Sequence, residues 1–188
     1  MTLGEIDLSF PSIVGITSLI FGIIMTSTDG NFFIAFILAT SLGMFAGLVN
    51  GLLVTKIGIP SIVATIGTLF FWRGLVNVIS QGSGIAIVDV ADGTWHHMIF
   101  VEKLFGKIPM QFIWFIVLTG LMQWVYRYHK FGNHIHFVGD NKASAQMMGI
   151  NVDNVKIIAF VQLGFFSALA GIFTMYEMLY FWPHKVKV

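Results

Sequence analysis

Residues 31–55 read NFFIAFILATSLGMFAGLVNGLLVT, 25 residues without a charged side chain. A helix rises 1.5 Å per residue, so roughly 20 apolar residues cross the hydrocarbon core of a bilayer, and this run is long enough. It stops at Lys56-Ile57-Gly58-Ile59-Pro60, where a cation, a glycine and a proline together end a helix. The rest of the chain agrees with a membrane setting. With 56% apolar residues, 10% charged residues and a mean hydropathy of +0.85, too little polar surface exists to coat a soluble globule. The 188 residues hold about five spans and their connections. The expected fold class is an all-α polytopic membrane protein forming one domain over 1–188.

Outward from this run, the uncharged stretch 10–28 is entered through Pro11 and left through Ser27-Thr28-Asp29-Gly30, which reads as a first span. Residues 61–79 carry Arg73 near their far end and either cross fully or form a re-entrant element. Residues 80–108 turn polar and glycine-rich, with Asp89, Asp92 and Glu102, and read as an aqueous loop. A fourth span is expected over 109–126, with Trp124 and Tyr126 at the level of an aromatic belt. A fifth is expected over 157–176, followed by Tyr180-Phe181-Trp182 and Pro183. Alternation of sides puts Lys56, Arg127, Lys130, Lys142 and Lys156 on one face against Lys103 and Lys107 on the other. The excess of basic residues points the loop 127–156 into the cytoplasm and the loop 80–108 outside. Lys185 and Lys187 in the tail His184 to Val188 then break the rule.

Several chemistries lack their residues. The chain has no cysteine, which removes disulfides, thiolate metal sites and thiol catalysis. A net charge of +1 gives no footprint for nucleic acid. His96-His97 and His134-x-His136 have neither i, i+4 spacing nor a carboxylate companion, so they read as loop histidines and no metal is expected. No nucleophile elbow, phosphate-binding loop or paired carboxylates occur. An enzyme and a cofactor are not expected, and any energy source belongs to another chain. Glu5 and Asp7 arrive early with no basic region before an apolar core, so the spans themselves are expected to direct insertion.

Gly43, Gly47 and Gly51 recur at i, i+4 and i+8 and lie on one helix face, where another backbone can approach. Gly164, Ala168 and Gly171 repeat the pattern in the last span, and both stripes read as helix packing. Asp7, with Ser9, either caps the start of the first span or lines a water-filled path through a broken helix. Arg73 is either a buried pathway residue or snorkels to the interface. Asn50 and Asn77 are polar residues on apolar spans, a common source of interhelical hydrogen bonds. In the loop 127–156, the stretch Gly139-Asp140-Asn141-Lys142-Ala143-Ser144-Ala145-Gln146-Met147-Met148-Gly149 offers an asparagine start, a short helix and a glycine stop. On the inner face of a membrane protein such a helix is a docking surface, or else an ordinary connection with a helical turn in it.

These residues resemble the permeases of ribose-type, or simple-sugar, ABC importers. Gly4-Glu5-Ile6-Asp7-Leu8-Ser9 is similar to that family's Gly-Gly-Ile-Asp-Leu-Ser segment, and Gly47-Leu48-Val49-Asn50-Gly51-Leu52-Leu53-Val54 to its Gly-x-x-Asn-Gly-Leu-Leu-Val. Ile59 to Thr68 with Arg73-Gly74-Leu75, and Phe131-Gly132 through Gly149 to Asp153, resemble two further blocks in the same order. The resemblance implies a permease that pairs with a second permease copy or paralogue in the bilayer. It also implies docking onto a cytoplasmic ABC ATPase subunit and receipt of sugar from an extracytoplasmic sugar-binding protein. It makes Gly139, Asp140, Asn141, Ala143, Ala145 and Gly149 the coupling element, and Asp7, Asn50 and Arg73 candidate pathway residues. The chain departs from the family pattern at Asn133, Asp140 and Gln146. Family members are longer, so a truncated product is expected. A remnant or regulatory membrane protein that binds transporter partners without moving sugar is the alternative.

Overall fold

The computed structural model describes residues 3–104 and 106–181. The expectations attached to Trp182, Pro183 and the tail His184 to Val188 lie outside the described residues. Helix α1 runs Phe10–Ser27 and α2 runs Phe32–Leu52, continuing through a π-helical turn at Leu53–Ile57. Helix α3 spans Ser61–Ser80, and two short helices follow, α4 (Val88–Ala91) and α5 (Trp95–Phe100). Then come α6 (Met110–Tyr128), α7 (Lys130–Asp140), α8 (Lys142–Met147) and the long α9 (Val152–Met178). Two antiparallel two-residue ladders complete the chain: β1 (Ile85–Ala86) pairs with β4 (Tyr180–Phe181), and β2 (Lys103–Leu104) with β3 (Ile108–Pro109).

The boundaries follow from local chemistry. Asp29 and Gly30 take positive φ and reverse the chain, and Asn31 then caps α2 by accepting the Ile34 N–H at 3.3 Å. Gly58 adopts φ +82° after the π-helical turn, and Pro60 opens α3. The segment 61–79 is therefore one unbroken helix.

Among the described residues, four helices are long and apolar enough to cross a membrane: Phe10–Ser27, Phe32–Ile57, Ser61–Ser80 and Val152–Met178. The all-α polytopic fold class follows. Helix α6, over the expected fourth span, has 19 residues, but Gln111, Gln123 and Arg127 dilute its apolar character and none of its residues is buried.

Helix α1 is the innermost element, with Ile13, Leu19, Phe21 and Met25 fully buried. Its neighbours are α2, α3 and α9. The closest contact joins α2 to α9 along the glycine stripe. A methyl group placed on Gly43 would sit 2.5 Å from the Gly164 carbonyl oxygen and 2.6 Å from the Ala168 Cβ. One placed on Gly47 would overlap the Phe160 carbonyl, and one on Gly51 would lie 3.0 Å from the Ile157 Cα. Gly171 turns instead toward α1, where a Cβ would meet the Thr17 hydroxyl at 2.5 Å. Backbones at this distance gain dispersion and weak Cα–H···O contacts without a side chain between them.

The stretch 80–108 is more ordered than an aqueous loop. Ile87, Ala91 and Phe100 are buried against Phe21, Met25, Phe32 and Tyr176, so α4 and α5 close one end of the bundle. His96 is 4% exposed, stacks on Phe32 with ring centroids 5.3 Å apart, and shares its Nδ1 with the Thr94 and Tyr176 hydroxyls, each at 2.9 Å. Burial, reinforced by the neighbouring His97, lowers its pKa below the ordinary histidine value. Tertiary packing of apolar and aromatic side chains spaced through a polar stretch explains the difference from the sequence expectation.

Candidate functional site

A polar cluster lies where the segment before α1 passes between α2 and α3. Asp7 Oδ1 accepts both the backbone N–H and the hydroxyl of Ser9, each at 2.7 Å. The Asn50 side chain of α2 donates from Nδ2 to Asp7 Oδ2 at 3.1 Å and to the Ser9 hydroxyl at 2.7 Å. Its Oδ1 accepts the Thr68 hydroxyl of α3 at 2.7 Å. Ser9 and Asn50 are fully buried and Thr68 nearly so, while Asp7 is half-buried. Buried polar groups are costly unless paired. Here each side chain of the cluster has its partners.

Helix α3 holds this segment along its length. The Ser61 hydroxyl accepts the Ile6 N–H at 3.2 Å, and the Thr65 hydroxyl accepts the Leu8 N–H at 3.1 Å. Ser61, Thr65 and Thr68 follow at i, i+4 and i+7 and make one polar stripe on the inner face of α3. That stripe is visible in the sequence as a helical-period polar pattern. Arg73 falls outside it. Five residues beyond Thr68 it points about 140° away around the helix and is exposed. Asp7 and Asn50 are thus brought together, and Arg73 is not.

A second, small lobe is built from α7, α8 and the start of α9. Ile135, Val138, Ala145, Val152 and Val155 form its core, with Leu3, Phe131 and Ile150 packed against them. Asn141 caps α8 by accepting the Ser144 N–H at 3.1 Å, and Gly149 leaves the helix at φ +78°. Asn151 caps α9 in the same way, accepting the Asn154 N–H at 3.0 Å. Ala145 is fully buried and anchors α8 from beneath. The outer face presents Lys142, Ala143, Gln146 and Met147, the last 84% exposed, with Gly139, Asp140, Asn141 and Gly149 exposed around it.

Charge links the lobe to the bundle. The Glu5 carboxylate accepts a short hydrogen bond from Lys156 on α9 and lies 3.6 Å from Lys142, the first residue of α8. Burial by itself would raise the Glu5 pKa. The hydrogen bonds from Lys156 and Ser61, with the charges of Lys156 and Lys142, outweigh it and hold the carboxyl below the usual range. Lys56 at the end of α2 also meets Asp153 at 2.9 Å, but both side chains are about half exposed and such pairs contribute little. Glu5 and Ser61 had no assigned role in the sequence reading.

The profile of the family described as "Branched-chain amino acid transport system / permease component" matches residues 1–188. The chain belongs to that family. The chain is also 32% identical over 173 residues to a protein named autoinducer 2 import system permease protein LsrC from Photorhabdus luminescens, covering 89% of this chain and 49% of the relative. Proteins of the same name from Yersinia pseudotuberculosis serotype O:3 (strain YPIII) and Yersinia pestis (strain Pestoides F) are each 33% identical over 168 residues, covering 89% of this chain and 46% of theirs. The chain spans about half the length of these curated relatives. No solved structure matches it. Family and apolar helices together make it a multi-pass membrane protein.

Proposed function

We propose that the chain forms part of the membrane permease of an ABC importer for a simple sugar, a monosaccharide or sugar alcohol, in a bacterial cytoplasmic membrane. It catalyses no reaction. ATP hydrolysis belongs to a separate cytoplasmic ATPase subunit that docks on the outer face of α8. An extracytoplasmic sugar-binding protein delivers the substrate, and a second permease copy or paralogue completes the passage. The relatives named as importers of autoinducer 2 favour a small polar substrate. In this reading Asp7 and Asn50 shape the substrate path, the loop 127–156 faces the cytoplasm, and α6 crosses the bilayer beside α9.

One observation carries the reading: a capped helix with an exposed outer face, anchored by buried Ala145, is tied through Glu5 to a segment bearing a polar cluster between apolar helices. A docking surface and a polar path in one connected unit are what a driven transporter needs.

The test is recovery of the ATPase subunit with the tagged permease from detergent-solubilised membranes. Ala143→Glu puts a carboxylate on the docking face without touching the lobe core. It is expected to cut recovered ATPase by about tenfold, the size of one central interface contact, at unchanged permease abundance. Equal recovery with and without the substitution contradicts the assignment of α8.

A further inference from the structure

The segment 4–9 has no helix or strand of its own, yet hydrogen bonds and ion pairs hold nearly every residue in it. Leu3, just ahead, packs on the core of the α7–α8–α9 lobe. Glu5 meets Lys142 at the start of α8 and Lys156 on α9. Ile6 and Leu8 donate their backbone N–H groups to Ser61 and Thr65. Asp7 and Ser9 enter the cluster with Asn50 and Thr68. Between Gly4, which bends the chain at φ +69°, and Ser9, already helical at φ −82° and ψ −14°, residues 5–8 form the connection, with the Ile6 and Leu8 N–H groups turned to α3. One end is fixed to the lobe and the other opens directly into α1, whose first helical residue is Phe10.

We propose that residues 4–9 form a strap that carries displacement of α8 to the Asp7–Asn50 cluster, with Glu5 as the positioning residue that grips α8 and α9 at the lobe end. The physical case rests on stiffness. The four residues between Gly4 and Ser9 reach at most roughly 14 Å, and the segment is pinned at intervals of one or two residues, which leaves little slack. Lys142 is the first residue of α8, so rotation or withdrawal of that helix moves the cation away from Glu5. Two residues on, the Asp7 carboxylate is the acceptor that holds Asn50 Nδ2 and the Ser9 hydroxyl. A shift of the backbone between them by a fraction of an ångström lengthens hydrogen bonds that weaken steeply with geometry. The cluster therefore has two arrangements available, gripped and released, and the lobe selects between them. The direct ion pair of Lys56 with Asp153 joins the same face of the molecule but bypasses the strap, which makes it a control.

That the strap serves ATP-driven transport rests on the function proposed above, but its mechanics can be read on the isolated chain. Amide hydrogen exchange resolved at Ile6, Leu8 and Ser9, on the full chain in lipid nanodiscs, reports opening of the strap. Glu5→Gln is expected to speed exchange at these amides at least about tenfold, and Lys142→Ala, which leaves the Glu5–Lys156 pair intact, about threefold. The full charge exchange, Glu5→Lys with Lys142→Glu and Lys156→Glu, is expected to restore slow exchange, whereas Lys56→Ala leaves it unchanged. Unaltered exchange in Lys142→Ala overturns the proposal, and so does a charge exchange that fails to restore protection in a chain that still inserts. If Glu5→Gln does not fold, Lys142→Ala decides alone, since its side chain is more than half exposed. No ATPase enters this measurement. Loss of ATPase binding with the expected exchange pattern would remove the transport reading and leave the strap, and the converse result would do the reverse.

Discussion

Gly164→Leu is expected to destroy the bundle. A Cβ at Gly164 overlaps the Gly43 carbonyl oxygen and lies 3.1 Å from the Gly47 amide nitrogen, so the obstruction is backbone and cannot rotate aside. The helices α2 and α9 must separate by about 1 Å even for a methyl group, and dispersion between two surfaces falls off within that gap. Overpacking against flexible side chains costs about 1–3 kcal/mol; against backbone the upper end or beyond applies. Gly164→Leu should therefore give little folded protein in mild detergent, and Gly164→Ala a thermal midpoint lowered by several degrees. Gly67→Leu supplies the comparison. No atom lies within 4 Å of a Cβ at Gly67, and its effect on stability should fall within about 0.5 kcal/mol of zero. Size-exclusion profiles and thermal melts of the three variants measure the difference.

Asn50→Asp carries the second large effect, because it is almost isosteric and changes chemistry alone. Asn50 Nδ2 lies 3.1 Å from Asp7 Oδ2 as a donor. An aspartate there sets two carboxylates against each other in a half-buried site, so that one must take up a proton or the contact must break. A loss of about 3 kcal/mol is expected, the scale of breaking a buried charged hydrogen bond. Asp7→Asn is milder. Its amide oxygen keeps the Ser9 N–H, and Asn50 can turn over because the Thr68 hydroxyl is also able to donate to the Thr65 carbonyl at 3.3 Å, at the cost of the one hydrogen bond that Asn50 now gives the Ser9 hydroxyl. Asp7→Asn is thus expected to lower transport more than abundance. Combining both substitutions restores one carboxylate and one amide, and should recover most of the stability that Asn50→Asp loses. A double variant no more stable than Asn50→Asp would show that the two side chains do not act as a pair.

How far the sequence revealed this arrangement varies with the range of the interactions. Helix-period signals were legible: Gly43, Gly47 and Gly51 share the side turned to α9, where they meet Gly164 with Ala168, Phe160 and Ile157 respectively, because spacing alone fixes which residues share a side. The start of α8 at Asn141 and its end before Gly149 were legible too, since capping is local. The meeting of Asp7 with Asn50, separated by 43 positions, was not. It depends on a segment without regular structure folding back along α3, and only the stripe Ser61, Thr65, Thr68 hinted at a polar partner for that segment. Helix α7 was missed because glycines, histidines and an asparagine depress its intrinsic propensity, and burial of Ile135 and Val138 overrides that. Arg73 was grouped with Asp7 and Asn50 through the family resemblance of its sequence block; its angular position on α3 separates it from the cluster. Ala145 belongs to the short helix as expected, yet its side chain faces inward, which three residues of sequence on either side cannot reveal.

Docking of an ATPase subunit on α8, as proposed, can be measured directly because the chain has no cysteine. A single cysteine replaces Ala143 on the exposed face of α8, a second is placed in the docking groove of the candidate ATPase, and membranes holding both are oxidised. Docking on α8 should yield a disulfide-linked permease–ATPase species that disappears when either cysteine is omitted. No such species, with a membrane-impermeant thiol reagent labelling Ala143→Cys after lysis alone, would contradict it: the helix would face the cytoplasm without the partner that its assignment requires.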